Sequence, residues 1–70
     1  MKIEGCKMGD VVGIQYLYRN KLRTELWRWN NYNKNTKEYW FYNDTNESLC
    51  VKESKLITIE KAPPEINDVR

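Results

Sequence analysis

The sequence predicts an all-β protein in which five short strands close into a small barrel. The chain has only 70 residues, its apolar residues recur with the two-residue period of a strand, and no stretch shows the 3.6-residue period of a helix. A chain of this length forms one domain and cannot form two. Without a helix to cover it, a small sheet buries its apolar face and limits its free edges by closing on itself.

The first two strands are expected to pair as a hairpin. The first runs from Val11 to Tyr18, where β-branched and aromatic residues alternate with a period of two. The second runs from Leu22 to Asn30 and carries Trp27 and Trp29 on one face, with leucines on the other. The short polar segment 19–21 between them predicts a tight turn.

An asparagine-dense segment and an aromatic strand follow. Residues 30–37 are expected to form a mobile loop, because asparagine tolerates left-handed backbone and competes with regular strand pairing. The third strand runs from Glu38 to Tyr42, and adjacent residues of a strand point to opposite faces. Tyr39 and Phe41 therefore face one way and Trp40 and Tyr42 the other. Some of these aromatic side chains must lie near the surface.

The last part of the chain supplies two further strands and a tail. Ser48 to Lys52 is predicted as the fourth strand and Leu56 to Lys61 as the fifth, with a single 3₁₀ turn over residues 53–55 between them. Two prolines then stop the last strand. We therefore expect one domain over residues 1–61 and a flexible, disordered tail over residues 62–70.

Three short motifs lie along the chain in this order: Gly9-Asp10-Val11-Val12-x-Ile14-x-Tyr16, Tyr42-x-Asp44 and Val51-x-x-Ser54-x-Leu56-x-x-Ile59. Their arrangement resembles the SH3-like barrel of Tudor-type domains over roughly residues 9–59. In that family a Gly-Asp opens the first strand, a Phe/Tyr-x-Asp leads into a turn, and a 3₁₀ turn joins the last two strands. The resemblance implies an SH3-like barrel. It also places Tyr16 and Tyr42 where Tudor-type domains can line an aromatic cage, although the core or rim of a barrel is the favoured position for both.

Charge is segregated along the chain. The net charge is only +2, but Arg19 to Lys37 holds six cations and one anion, whereas Asn43 to Arg70 holds four cations and six anions. Seven of the nine aromatic residues lie between Trp27 and Tyr42. The sequence therefore predicts a working surface in the basic, aromatic middle of the chain.

The residues predicted to bind a partner share a cationic or aromatic side chain in this middle segment. They are Arg19, Lys21, Arg23, Arg28, Trp29, Tyr32, Lys34, Lys37, Trp40 and Tyr42. A barrel of this size also needs aromatic residues in its core, and Trp27 or Trp29 and Tyr39 or Phe41 are the candidates. Trp, Tyr and Arg dominate protein interfaces. Aromatics interleaved with cations also suit single-stranded nucleic acid.

Catalysis by a single chain is not expected. Histidine is absent, so neither the commonest general base nor the commonest metal ligand is present. Cys6 and Cys50 are too far apart in sequence for a Cys-x-x-Cys motif and supply too few ligands for a zinc site, and both are expected to be reduced. The acidic residues are scattered and no glycine-rich phosphate loop exists. We expect no catalytic residue, no metal and no cofactor.

Three functional hypotheses follow. The first is a non-catalytic module that binds a protein partner, for example a phage or mobile-element factor that acts on a host protein. The second is a nucleic-acid-binding barrel, whose affinity would fall steeply with salt. The third is a homo-oligomer that associates through strand edges or the aromatic face. No apolar segment reaches the length of a membrane span or a signal peptide, so a cytoplasmic protein that does not bind membranes is expected.

Overall fold

The computed structural model describes residues 5–69, so residues 1–4 of the predicted domain and residue 70 of the predicted tail lie outside the described residues. The elements are β1 (Val11–Tyr18), β2 (Lys21–Asn33), β3 (Glu38–Tyr42), β4 (Ser48–Lys52), a 3₁₀ turn (Glu53–Lys55) and β5 (Leu56–Lys61). The prediction of an all-β fold with five strands is confirmed. The bounds of β1, β3, β4, β5 and the 3₁₀ turn agree with those expected from the sequence.

All five strands belong to one antiparallel sheet with the order β4-β3-β2-β1-β5. The long strand β2 pairs with β1 along its first part and with β3 along its second part. Arg28 lies where the two parts meet, opposite both Val11 of β1 and Tyr42 of β3. Within the described residues β4 and β5 are the two edges, so hydrogen bonds do not close the sheet. The 3₁₀ turn joins these edges through the chain instead.

Strand β2 is longer than the sequence suggested. The loop predicted over residues 30–37 is wrong in its first half, because β2 continues after a bulge to Asn33 and only residues 34–37 form a turn. Pairing with β3 supplies the backbone hydrogen bonds that a loop would leave unmade. The Tyr32 ring also packs against Tyr39, with their ring centroids 4.5 Å apart. These tertiary contacts override the local preference of asparagine for loops.

One hydrophobic core receives side chains from every strand, which shows that the sheet folds around it. Its buried members are Val12, Ile14, Tyr16, Trp29, Tyr39, Phe41, Val51 and Leu56. Trp29 packs its ring against Phe41 and Tyr39 at centroid distances of 5.9 and 6.1 Å. All three residues were among the core candidates, whereas Trp27 lies half-buried at the edge of this cluster.

The tail has defined contacts although it forms neither a strand nor a helix over residues 62–69. Val69 is buried. Its carbonyl accepts the backbone N–H of Asp44 at 2.8 Å, and its own N–H donates to the Asp44 carboxylate at 3.1 Å. Arg28 donates to the carbonyl of Asn67 at 3.0 Å. The tail thus contacts the β3–β4 turn through two hydrogen bonds and β2 through one.

We expect the attachment of the tail to depend on ionised Asp44. The Arg28 guanidinium and then the Val69 N–H lower the pKa of this carboxyl from 3.8 to about 2, so the contact is complete above pH 3.8 and is lost as the pH falls through about 2. In D44N the amide of Val69 should exchange its hydrogen several-fold faster at neutral pH. Hydrogen exchange measured by mass spectrometry, with the exposed tail residue changed in E65Q as a control, checks this; equal protection in D44N and E65Q would contradict it.

Candidate binding site

On one side of the molecule, the β2–β3 turn and the end of β1 both lie beside the 3₁₀ turn. Lys52 pairs with Glu38, the first residue after the β2–β3 turn, and Leu56 pairs with Tyr16, two residues before the end of β1. The 3₁₀ turn that joins Lys52 to Leu56 has three residues, so these two positions are at most about 14 Å apart. The paired residues Glu38 and Lys52 are about 5 Å apart, and so are Leu56 and Tyr16. The register therefore places the β2–β3 turn and the end of β1, from which the β1–β2 turn extends, on either side of the 3₁₀ turn. The N–H of Glu53 also donates to the carbonyl of Lys37 at 2.8 Å.

This side, which we call the basic face, is formed by the two turns and the residues around the 3₁₀ turn. Its cations are Arg19, Lys21, Arg23, Lys34, Lys37, Lys52 and Lys55, and all of them are exposed. Its carboxylates are Glu25, Glu38 and Glu53, and all of them are half-buried. Seven exposed cations against three half-buried carboxylates leave a positive surface, which favours an anionic partner.

The opposite end of the sheet has the reverse balance, and we call it the acidic end. Around the start of β1, the β3–β4 turn and the tail the described residues are Asp10, Asp44, Glu47, Glu60, Glu65 and Asp68 against Lys7, Arg28 and Lys61. Two of the three cations are held by these carboxylates, Arg28 by Asp44 at 2.6 Å and Lys61 by Asp10 at 3.5 Å. The charge segregation predicted from the sequence thus becomes a separation across the folded molecule.

The β1–β2 turn is an exposed part of the basic face. Tyr18 pairs with Lys21, and the two residues between them, Arg19 and Asn20, have φ values of 52° and 64°. Two left-handed residues between paired strands define a type I′ hairpin turn. The Tyr18 ring is 47% exposed, and the guanidinium groups of Arg19 and Arg23 lie 5.2 and 5.6 Å from its centroid. Such contacts hold cations over an aromatic surface.

Glu25 holds Arg23, one of the two arginines that lie over the Tyr18 ring. Burial alone would raise the pKa of its carboxyl, but hydrogen bonds from Trp27, Tyr16 and Arg23 outweigh it and lower the pKa. The Arg23 ion pair spans 3.0 Å. Burial and the bond to Glu25 raise the pKa of Tyr16 to about 12, so its hydroxyl remains a donor. Within residues 5–69, Arg19 and Lys21 have no carboxylate in ion-pair contact and remain available to a partner.

An apolar strip lies on the outer face of the same hairpin, opposite the face that Tyr18, Lys21 and Arg23 share with Tyr16. It consists of Leu17, Leu22 and Leu26, and we call it the leucine strip. Leu17 lies directly opposite Leu22 in the register, and Leu26 is on the same face as Leu22 because their separation is even. All three are exposed, Leu22 by 58%. Exposed apolar residues that cluster beside charged ones are typical of interaction surfaces.

The structure brings together five of the ten predicted binding residues, namely Arg19, Lys21, Arg23, Lys34 and Lys37, on the basic face. Tyr32 lies beside this face but is half-buried, and its hydroxyl donates to Glu53 at 2.8 Å. This hydrogen bond, together with burial, raises the pKa of Tyr32 to about 12. Tyr32 therefore connects β2 to the 3₁₀ turn and contributes support to the basic face.

The other four predicted binding residues lie elsewhere. Trp29 is only 9% exposed and belongs to the core, so its inclusion as a surface residue is wrong. Arg28 lies at the acidic end, where it donates to Asp44 and to the carbonyl of Gly9 at 2.8 Å. Trp40 and Tyr42 are half-buried on the outer face of β3, as the alternation predicted. The ten residues therefore do not form one continuous surface.

The aromatic cage implied by the resemblance is not formed by Tyr16 and Tyr42. Tyr16 points into the core and is buried. Tyr42 alternates with the core residue Phe41 and lies on the outer face. Its hydroxyl lies 3.3 Å from the position that a Cβ on Gly9 would occupy, and Gly9 has a φ of +98°, which suits glycine. The two tyrosines lie on opposite faces of the sheet.

Sequence reasoning missed the leucine strip, Tyr18, Lys52 and Lys55 as parts of a site. The signal for the strip was present, because Leu22 and Leu26 alternate with Trp27 and Trp29 along one strand. The contribution of Lys52 and Lys55 had no local signal, since they reach the basic face only through the pairing of β4 and β5 with other strands.

No protein-family model, curated protein or solved structure matches the chain. Within residues 5–69 no helix is long and apolar enough to cross a membrane, and no group of three or more side chains is placed to hold a metal ion. Both cysteines are free, Cys6 half-buried and Cys50 exposed.

Proposed function

We propose that this chain is a non-catalytic binding module that engages a protein partner through its β1–β2 hairpin. The observation that carries the proposal is the presence of two exposed surfaces on one hairpin: the leucine strip on its outer face and the cations around Tyr18 on its other face. Apolar contact excludes water from the centre of an interface, and a rim of charges sets orientation and rate of association. The partner has an apolar patch bordered by carboxylates.

A protein fits this surface better than a nucleic acid does. Tyrosine and arginine are residues that often carry binding energy between proteins, and here Tyr18 and Arg19 lie on the same hairpin as Leu22. Phosphate and bases would leave the leucines in water. Arg23 is already paired with Glu25 at 3.0 Å, so the hairpin offers two unpaired cations, Arg19 and Lys21, which are few for tracking a phosphate backbone.

We also propose that the fold is an SH3-like barrel of Tudor type. The strand order, the 3₁₀ turn between β4 and β5, and the core shared by all five strands support this assignment. Tyr16 and Tyr42 do not meet, so the assignment is to the fold alone and implies no ligand. A cytoplasmic setting and a phage or mobile-element source accompany the proposal as predictions from the sequence.

Nucleic-acid binding is the second candidate, and one observation favours it. The cations of the basic face are distributed over three turns, so an extended anionic strand could contact several of them. This candidate predicts an affinity that falls about tenfold or more as salt rises from 50 to 200 mM, whereas an interface with an apolar centre depends less on salt.

A variant of the leucine strip tests the protein-binding proposal. The tagged domain is used to capture partners from nuclease-treated lysate, and L22D should lose the captured protein because a charge is placed in the apolar centre of the interface. M8D is the matched control, since Met8 is 69% exposed and lies before β1 rather than on the hairpin. Equal capture by wild type and L22D, or recovery of nucleic acid alone without nuclease, would overturn the proposal.

A further inference from the structure

Four non-glycine residues of the described chain adopt the left-handed backbone conformation. They are Arg19, Asn20, Lys37 and Asn46, with φ values of 52°, 64°, 56° and 65°. Asparagine accepts this conformation readily, because its short polar side chain can hydrogen-bond locally. Long unbranched cations do so less readily, and glycine or asparagine is the usual choice at such turn positions. Arginine and lysine are therefore the unexpected residues in this set.

The two unexpected residues share a location. Arg19 is the first residue of the β1–β2 turn and Lys37 is the last residue of the β2–β3 turn. Both therefore belong to the basic face, on either side of the 3₁₀ turn. The two asparagines include Asn46, which lies in the β3–β4 turn at the acidic end. Asn20 follows Arg19 on the basic face, so both cations lie on the positive surface, whereas the two asparagines are divided between the basic face and the acidic end.

The backbone around both cations is fixed by pairing. Tyr18 and Lys21 close the first turn, and the carbonyl of Lys37 accepts the N–H of Glu53 at 2.8 Å. The turn must therefore keep its conformation whichever side chain it carries. Strained residues that the surrounding structure maintains are concentrated at functional sites.

We infer that Arg19 and Lys37 are the principal anchors of the basic face, which bind carboxylates of the protein partner on either side of the 3₁₀ turn. This inference rests on the proposed function. Both side chains are exposed, and within residues 5–69 neither is in ion-pair contact with a carboxylate. Exchange for asparagine, R19N and K37N, should make the domain more stable and its binding weaker, because stability and function compete at such positions.

The test measures stability and binding on the same variants. R19N and K37N should each raise the melting temperature by roughly 2–6 °C. Each should weaken the binding of fluorescent poly-L-glutamate at low salt by about fivefold, against about twofold for K21N, which removes one charge at a position with ordinary backbone. N20G and N46G change left-handed residues without removing a charge, so they should leave this affinity unchanged.

The outcomes separate this inference from the proposed function. Variants R19N and K37N that are no more stable than wild type, or that bind poly-L-glutamate as K21N does, would overturn the anchor assignment alone. A wild-type domain that binds oligothymidylate and not poly-L-glutamate would overturn the protein partner and the anchors together. Higher stability combined with a loss of binding greater than that of K21N would support both.

Discussion

Replacement of Trp29 by alanine is expected to lower the free energy of unfolding by about 3–5 kcal/mol. A domain of this size has a stability of about 3–5 kcal/mol in total, so W29A should be largely unfolded at room temperature. The reason is the position of the ring, which is buried against Phe41 and Tyr39 in the single core. Its removal leaves a cavity that the paired strands cannot close.

Urea denaturation monitored by far-ultraviolet circular dichroism measures this effect, and W40A is the matched control. Trp40 follows Tyr39 on the same strand but lies half-buried on the outer face, so its loss should cost less than about 1.5 kcal/mol. Similar midpoints for W29A and W40A would contradict the placement of Trp29 in the core. They would also restore the sequence-based assignment of Trp29 to a binding surface.

Reversal of two charges on the hairpin is expected to weaken partner binding by about 100-fold or more, because like charges brought together at an interface cost several kcal/mol. The variant is R19E/K21E, in which both side chains are exposed and within residues 5–69 have no carboxylate in ion-pair contact. Its folding should be close to that of the wild type. Calorimetric titration with the partner captured by the wild-type domain measures the change.

K7E/K61E serves as the control for net charge. It reverses the same number of cations at the acidic end, where Lys61 makes only an exposed ion pair of 3.5 Å with Asp10, and pairs of this kind contribute little to stability. The control should bind within about threefold of the wild type. Equal losses in the two variants would mean that the partner responds to overall charge and not to the hairpin.

Most of the strands could be predicted from the sequence because their signals are local. Val11 to Tyr18 alternates strictly enough to fix the bounds of β1, and the prolines after Lys61 mark the end of β5. The end of β2 could not be predicted in this way. Asparagine at positions 30, 31 and 33 favours a loop locally, and only the pairing with β3 makes this segment part of a strand.

The charge of the candidate site could be predicted from the sequence, but the way in which distant segments come together to form it could not. Arg19, Lys21 and Arg23 stand out as cations close together in the chain, and they remain together on the hairpin. Arg28 looked equivalent to them, but Asp44, sixteen residues further on, holds it at the opposite end. Such long-range contacts, like the 3₁₀ turn that brings the two basic turns together, follow from strand register, which composition does not specify.

Amide chemical-shift mapping of the labelled domain with its captured protein partner tests the central claim most directly. The proposed mode of binding predicts that the largest shifts occur in residues 17–26 of the β1–β2 hairpin, with smaller ones in the β2–β3 turn and the 3₁₀ turn. Residues of the tail and the β3–β4 turn at the acidic end should not respond. Shifts confined to the acidic end or to the outer face around Trp40 and Tyr42 would contradict the claim.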